Sequence, residues 1–426
     1  MRFSSKHTGL VVCAFFLCLF GTLAHADTTT DLQSQIDDRT QKISQLESDI
    51  AALGHQLDQT SAQKQTLQSA VTILDLSNKK LTAQISLTQT QISQTDLQIQ
   101  KLSGSIATTS SQMTVESRGV AATLRGLLQN DQDSLAVTLL GGGSLADVFD
   151  EAASLTATRD ALRTQIEALS SLKASLQNTK TVAQQKRAQL STLKASLGQQ
   201  QQALAATIAD KKQLLAQTKD QESTYQKLIA QKKSEEASFE QDLANFESQL
   251  KGVVDVSSLP HTGSGVLTWP LDSIKITQYF GNTPFATQNP QIYNGHGHSG
   301  VDFRASPGTP VKSAGDGIVM GTGNTDLTCP GASYGKWVFI KHNNGLSTIY
   351  GHLSVIIAAK GEQVNTGDVI GYSGSTGYAT GPHLHFGVFA SDVAQVSSFP
   401  SQGCPGRTYT MPVAPLSGYL NPLSYL

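Results

Sequence analysis

The chain has 426 residues, with 31 Lys and Arg against 33 Asp and Glu. That near-balance leaves no broad positive field, so no nucleic acid is expected as a partner. All thirteen prolines fall at Pro260 or later, and this one sharp change of composition divides the chain into two differently built parts.

Arg2 and Lys6 precede the apolar run from Leu10 to Leu23, and Ala24-His25-Ala26 offers an A-x-A cleavage site. Residues 1–26 therefore read as a signal peptide, which makes the mature chain an exported one, in the periplasm or cell envelope. The run is short for a spanning helix, and no later segment is apolar enough to cross a bilayer. No stable membrane span is expected after the signal is removed.

Residues 27–250 contain no proline and are dominated by Gln, Ser, Leu, Lys and Ala. What they do have is heptad order. Counting by seven gives Ile36, Ile43, Ile50, Leu57, Lys64, Val71, Asn78, Ile85, Ile92, Ile99 and Ile106, accompanied by Leu46, Leu53, Leu67, Leu74 and Leu81. A second track runs from Leu162 through Leu190 to Tyr225, Lys232, Phe239 and Phe246. Such repeats predict two long coiled-coil helices, each on the order of 130 Å at 1.5 Å per residue. Gly141-Gly142-Gly143 interrupts the pattern, because consecutive glycines lose too much backbone entropy on ordering. The break is placed near 119–155, and a helical hairpin is expected. A parallel dimer or plain spacer is the alternative.

Residues 251–263 read as a polar Gly/Ser linker. Residues 264–426 read as one all-β antiparallel domain, because short alternating runs such as Trp337-Val338-Phe339-Ile340 and Leu384-His385-Phe386-Gly387-Val388 are separated by Gly and Pro turns. G-T-P-V-K-S-A-G-D-G-I at 308–318 and G-E-Q-V-N-T-G-D-V-I at 361–370 form a faint repeat of the sort found in hybrid barrels. The fold class expected is thus multidomain α + β: a long coiled-coil helical hairpin followed by an antiparallel, hybrid barrel-like domain.

The chemistry-bearing residues are His298 and Asp302 of H-S-G-V-D, then His383 and His385 of H-L-H. A catalytic zinc takes three N or O ligands and keeps one position for water, whose pKa falls to about 7. No H-E-x-x-H is present, so the site cannot be the helical kind and must be assembled from strands and loops. Four extended residues would hold His298 and Asp302 roughly 13 Å apart, too far to share an ion. The chain has to bend at Gly297, Ser299 and Gly300. In H-L-H the i, i+2 spacing puts both imidazoles on one strand face, with Leu384 buried on the other. His261, His296 and His342 read as ordinary surface or core histidines, His296 being the one rival ligand.

HSGVDF, GTPV, GDGIV, YG, YGHL, GDVIG and GPHLHF, in this order over residues 296–390, resemble the lysostaphin-type (LytM-like) zinc peptidases, which cut peptide cross-links in peptidoglycan. That resemblance implies zinc ligands at His298, Asp302 and His385, with His352 and His383 as the catalytic pair. Residues 119–160 resemble EnvC-like murein hydrolase activators. This second resemblance implies a cell-division or amidase partner for the coiled coil, and it keeps open a non-enzymatic or dual-role activator beside the peptidase. Once residues 1–26 are removed, Cys329 and Cys404 are the cysteines that remain, and export favours a disulfide between them.

Overall fold

The computed structural model describes residues 23–61, 66–130, 145–219, 221–250, 254, 257, 259–288, 297–379 and 381–426. Contacts divide the chain into two compact units, one holding residues up to Gln45 with Leu87–Ser196, the other Leu46–Ser86 with Leu197–Leu426. Among the described residues the N-terminal part holds four helices, α1 Leu23–Ser61, α2 Leu67–Asn130, α3 Leu145–Thr218 and α4 Glu222–Glu247, so the two long helices expected are each divided. The Gly-rich break at 141–143 and the signal segment up to residue 22 lie outside the described residues.

Helix pairing is antiparallel in each unit. In the first unit Gln94 Nε2 donates to Thr40 Oγ1 at 2.7 Å and Lys101 Nζ to Gln33 Oε1 at 2.7 Å, so α1 and α2 run oppositely. In the second unit Lys211 meets Asp75 at 2.5 Å, and the Leu67 N–H donates to Glu222 at 2.7 Å. The extra break between α1 and α2 has a local cause. The Ser69 N–H donates to Thr66 Oγ1 at 3.1 Å and the Thr66 N–H to Ser69 Oγ at 3.0 Å, a reciprocal cap that starts a new helix. Between α3 and α4, Lys219 takes a left-handed φ of 49°, a conformation that ends helices.

The C-terminal part is antiparallel β. Its strands are β1 Ile276–Gln278, β2 Val301–Arg304, β3 Pro310–Lys312, β4 Gly317–Asn324, β5 Lys336–His342, β6 Leu346–Ile356, β7 Gln363–Val364, β8 Val369–Ser373, β9 His383–Ala390, β10 Gln395–Pro400, β11 Thr408–Val413 and β12 Tyr419–Leu420. The main sheet runs β1-β2-β9-β6-β5-β4-β7 and β10 pairs with β11 separately. Short β1 and β7 end the main sheet, so among the described residues the expected antiparallel domain is an open sheet that does not close into a barrel. The internal repeat is nonetheless real in space. β3 of the first copy pairs with β8 of the second, and β4 of the first with β7 of the second. Val301, Phe303, Val338, Ile340, Leu384 and Phe386 are core residues of the main sheet.

Helix α4 packs on this domain. Phe239 meets Tyr409 at 5.0 Å between ring centroids and Phe246 stacks on Phe399 at 4.9 Å. The heptad positions Phe239 and Phe246 thus face β10 and β11 and not another helix. Full burial of such a side chain stabilises by about 2–3 kcal/mol. Cys329 and Cys404 form the expected disulfide.

Candidate metal centre and cleft

β2 and β9 are neighbours whose register puts Asp302 opposite His385 and Arg304 opposite His383. Leu384, between the two histidines, is fully buried, so both imidazoles share the other face as period-two geometry demands. His298 precedes β2 and bridges to Gly281, its N–H donating to the Gly281 carbonyl at 3.0 Å. The bend between His298 and Asp302 needs its glycines. Gly297 has φ 81°, and a Cβ there would sit 2.6 Å from the Gly281 carbonyl carbon; at Gly300 one would sit 2.7 Å from His385 Cε1.

The result is a convergence of three ligand atoms. His298 Nε2 lies 3.2 Å from Asp302 Oδ1 and 3.1 Å from His385 Nδ1, which itself lies 3.1 Å from Asp302 Oδ1. Among the described residues these three form the group with metal-ligand composition and spacing. A carbonyl only accepts, so the contact of His298 Nδ1 with the Tyr279 oxygen at 3.0 Å leaves the proton on Nδ1 and the Nε2 lone pair turned inward. A carboxylate and an imidazole lone pair at this distance, all three residues buried, are a donor set suited to a cation. His385 Nε2 is buried without a hydrogen-bond partner.

Electrostatics follow the same geometry. Burial opposes ionisation of Asp302, yet the charges of His298 and His383 and hydrogen bonds from His298 and His385 hold its carboxyl well below the usual range. Burial lowers His298, but Asp302 and the Tyr279 carbonyl more than compensate and raise it. His385 is lowered, chiefly by burial. His352 is held well below its ordinary value, first by burial and then by His383 and His385, so it is a neutral imidazole at pH 7.

His352 and His383 stand together, ring centroids 4.5 Å apart, with His352 6.0 Å from His385. Each carries its proton on Nδ1, His352 donating to the Thr376 carbonyl at 2.8 Å and His383 to that of Gly381 at 2.7 Å. His352 adopts φ 59° in the left-handed region, where its N–H leaves the ladder to donate to the Tyr334 carbonyl at 2.7 Å. All five predicted residues are therefore brought together. His342, by contrast, is a satisfied core histidine, with Nε2 2.8 Å from Thr348 Oγ1. His261 is exposed, and His296 lies outside the described residues. Tyr334 and Thr376 went unassigned from sequence. The motif YG and the loop GSTGYATG marked their positions, but backbone carbonyl acceptors leave no residue signature.

The five residues line a cavity of about 410 Å³ together with Tyr334 and Tyr378. Its wall is completed by Ser69 and Ile73 of α2 and by Glu236, Phe239, Glu240 and Leu243 of α4, all in the same compact unit.

Residues 296–396 match Peptidase family M23. This stretch resembles an M23 peptidase domain. Over 106 residues the chain is 41% identical to the DD-carboxypeptidase/endopeptidase Mpg of Neisseria meningitidis, covering 25% of this chain and 23% of that protein. Over 89 residues it is 46% identical to the peptidoglycan DD-endopeptidase ShyA of Vibrio cholerae, covering 21% of this chain and 19% of that one. The catalytic domain of lysostaphin from Staphylococcus simulans aligns at 29% identity and TM-score 0.26, over 35% of this chain and 90% of that one. The M23 likeness thus spans about a quarter of the length of Mpg and less of ShyA. Among the described residues no helix is long and apolar enough to cross a membrane.

Proposed function

We propose that this chain is an exported zinc metalloendopeptidase that hydrolyses peptide bonds in peptidoglycan, with its helical arm restraining access to the cleft. The observation that carries the reading is the convergence of His298 Nε2, Asp302 Oδ1 and His385 Nδ1 beside two histidines whose Nδ1 protons are already engaged. His298, Asp302 and His385 are assigned as the metal ligands. When bound, zinc supplies a Lewis acid that polarises the scissile carbonyl and acidifies a water. His352 and His383 act through Nε2: one takes the proton of the attacking water, and the imidazolium so formed returns it to the leaving amine. Asp302 stays ionised throughout.

The restraint is inferred from α4, whose Glu236, Phe239, Glu240 and Leu243 wall the same cavity as the ligands. That placement also supports a second reading, in which the arm serves a protein partner in cell-wall remodelling or division and the chain acts as an EnvC-like activator of amidases. The two readings separate on one experiment. Purified peptidoglycan is digested with the zinc-loaded full chain and with a variant whose α4 is loosened, and the products are identified by mass. New stem-peptide or cross-bridge termini support the peptidase. Release of intact stem peptides only when an amidase is added supports the activator instead.

A further inference from the structure

The Nδ1 proton of His352 is held by a peptide group that is itself gripped from behind. The Thr376–Gly377 peptide accepts that proton at its carbonyl, 2.8 Å away, and donates its N–H to Asp326 Oδ2 at 2.9 Å. The other oxygen of Asp326 accepts the Gly331 N–H at 2.7 Å. Thr376 Oγ1 donates to the Leu353 carbonyl at 2.8 Å and accepts from the Lys336 N–H at 2.9 Å, which fixes the peptide from a third side. Its fourth side is Gly335. A Cβ there would lie 2.3 Å from the Thr376 carbonyl carbon, so the two backbones touch directly. Asp326 belongs to the loop that carries Cys329, and the Cys329–Cys404 disulfide ties that loop to residue 404.

We propose that Asp326 is the positioning residue of His352, one of the two proposed acid–base histidines, acting through the Thr376–Gly377 peptide; this rests on the peptidase reading above. A carboxylate accepting from an amide N–H shifts electron density toward the carbonyl of the same peptide. Hydrogen bonds in such a chain strengthen one another by roughly 10–30% each. The Thr376 oxygen becomes a better acceptor, the Nδ1–H tautomer of His352 is favoured, and Nε2 is left as the lone pair facing the cavity. No proton leaves Nδ1 and none crosses the peptide. Lys232 of α4 leans on the same turn, its Nζ 3.3 Å from the Gly377 carbonyl and its charge facing Asp326. The competing view is that Asp326 merely caps its own loop at Gly331.

The test uses the full chain with Asp326→Asn, Asp326→Glu and Asp326→Ser. Zinc content and KM should stay at the wild-type level while kcat on a soluble cross-linked muropeptide falls on the order of 10-fold in Asp326→Asn, as for other residues that orient a functional histidine. In the metal-free protein labelled with [15N]histidine, the His352 resonances should move from the Nδ1–H tautomer toward a mixture with Nε2–H. Asp326→Glu should recover most of kcat and the original tautomer. A loop cap alone would lower Tm and leave both readouts unchanged, and that result overturns the proposal. If Asp326→Asn does not fold, Asp326→Ser, too short to reach the Gly377 N–H, decides: an unaltered tautomer and kcat there overturn it equally. Wild-type kcat in His352→Ala would instead remove the reading of His352 as an acid–base residue.

Discussion

His298, Asp302, His352, His383 and His385 divide by the atoms they have left to offer. The first two and His385 point three ligand atoms at one another within 3.2 Å, and the other two have spent their Nδ1 protons on carbonyls. Metal content and rate should therefore separate on mutation. Asp302→Ala is expected to lose zinc and hydrolysis together. His352→Ala is expected to keep stoichiometric zinc, measured by atomic absorption, and to lose on the order of 100-fold in turnover, as for a general acid–base group. Stoichiometric zinc in folded Asp302→Ala would reverse the ligand assignment. These side chains were legible in sequence because the bend demanded by Gly297 and Gly300 and the i, i+2 spacing of H-L-H restrict geometry. What orients them was not. Tyr279, Gly381 and Thr376 act through carbonyls that any residue possesses, so the tautomers became readable only in three dimensions.

At the scale of elements, heptads predicted helices but not their ends or their partners. The break at Thr66 is made by a Thr-x-x-Ser cap with no Gly or Pro, a weaker signal than the glycine run at 141–143. Tyr225, Phe239 and Phe246 are three of the four aromatic residues between positions 27 and 250. Their crowding into α4 was a sign that this helix covers something other than a helix. Truncating a buried Phe costs about 3–5 kcal/mol. Phe239→Ala should therefore loosen α4 and raise the rate on a soluble cross-linked fragment, by on the order of 100-fold at most if the closed form dominates. An unchanged rate would leave α4 as a spacer. The disulfide belongs to this scale too. It joins residues 75 apart in sequence, and its loss in Cys404→Ser should cost about 4 kcal/mol in the chain-entropy view, read by chemical denaturation.

For the whole molecule, docking of α4 is linked to protons. Burial between α4 and the β-domain pushes Glu236 up to about 8 and Glu247 up to about 7, from 4.5. Neutral partners face them: the Ser333 N–H donates to Glu236 at 2.6 Å, and the Tyr419 hydroxyl donates to Glu247. The docked state holds protons that a free helix has released, so docking is at full strength below about 4.5 and weakens as pH rises through 7 and 8. The rate of Phe239→Ala divided by that of the wild type should accordingly shrink between pH 6 and pH 9. A ratio that grows with pH would contradict this linkage.

The left-handed backbone at His352 sets function against durability. A β-carbon at φ 59° costs roughly 1 kcal/mol that glycine does not incur. Evolution toward heat resistance alone, with no demand for catalysis, should enrich glycine at this position and so erase one of the two proposed acid–base histidines. A library of variants sorted only by thermal survival would then mark the cleft without any substrate, as the place where sturdier chains are idle ones.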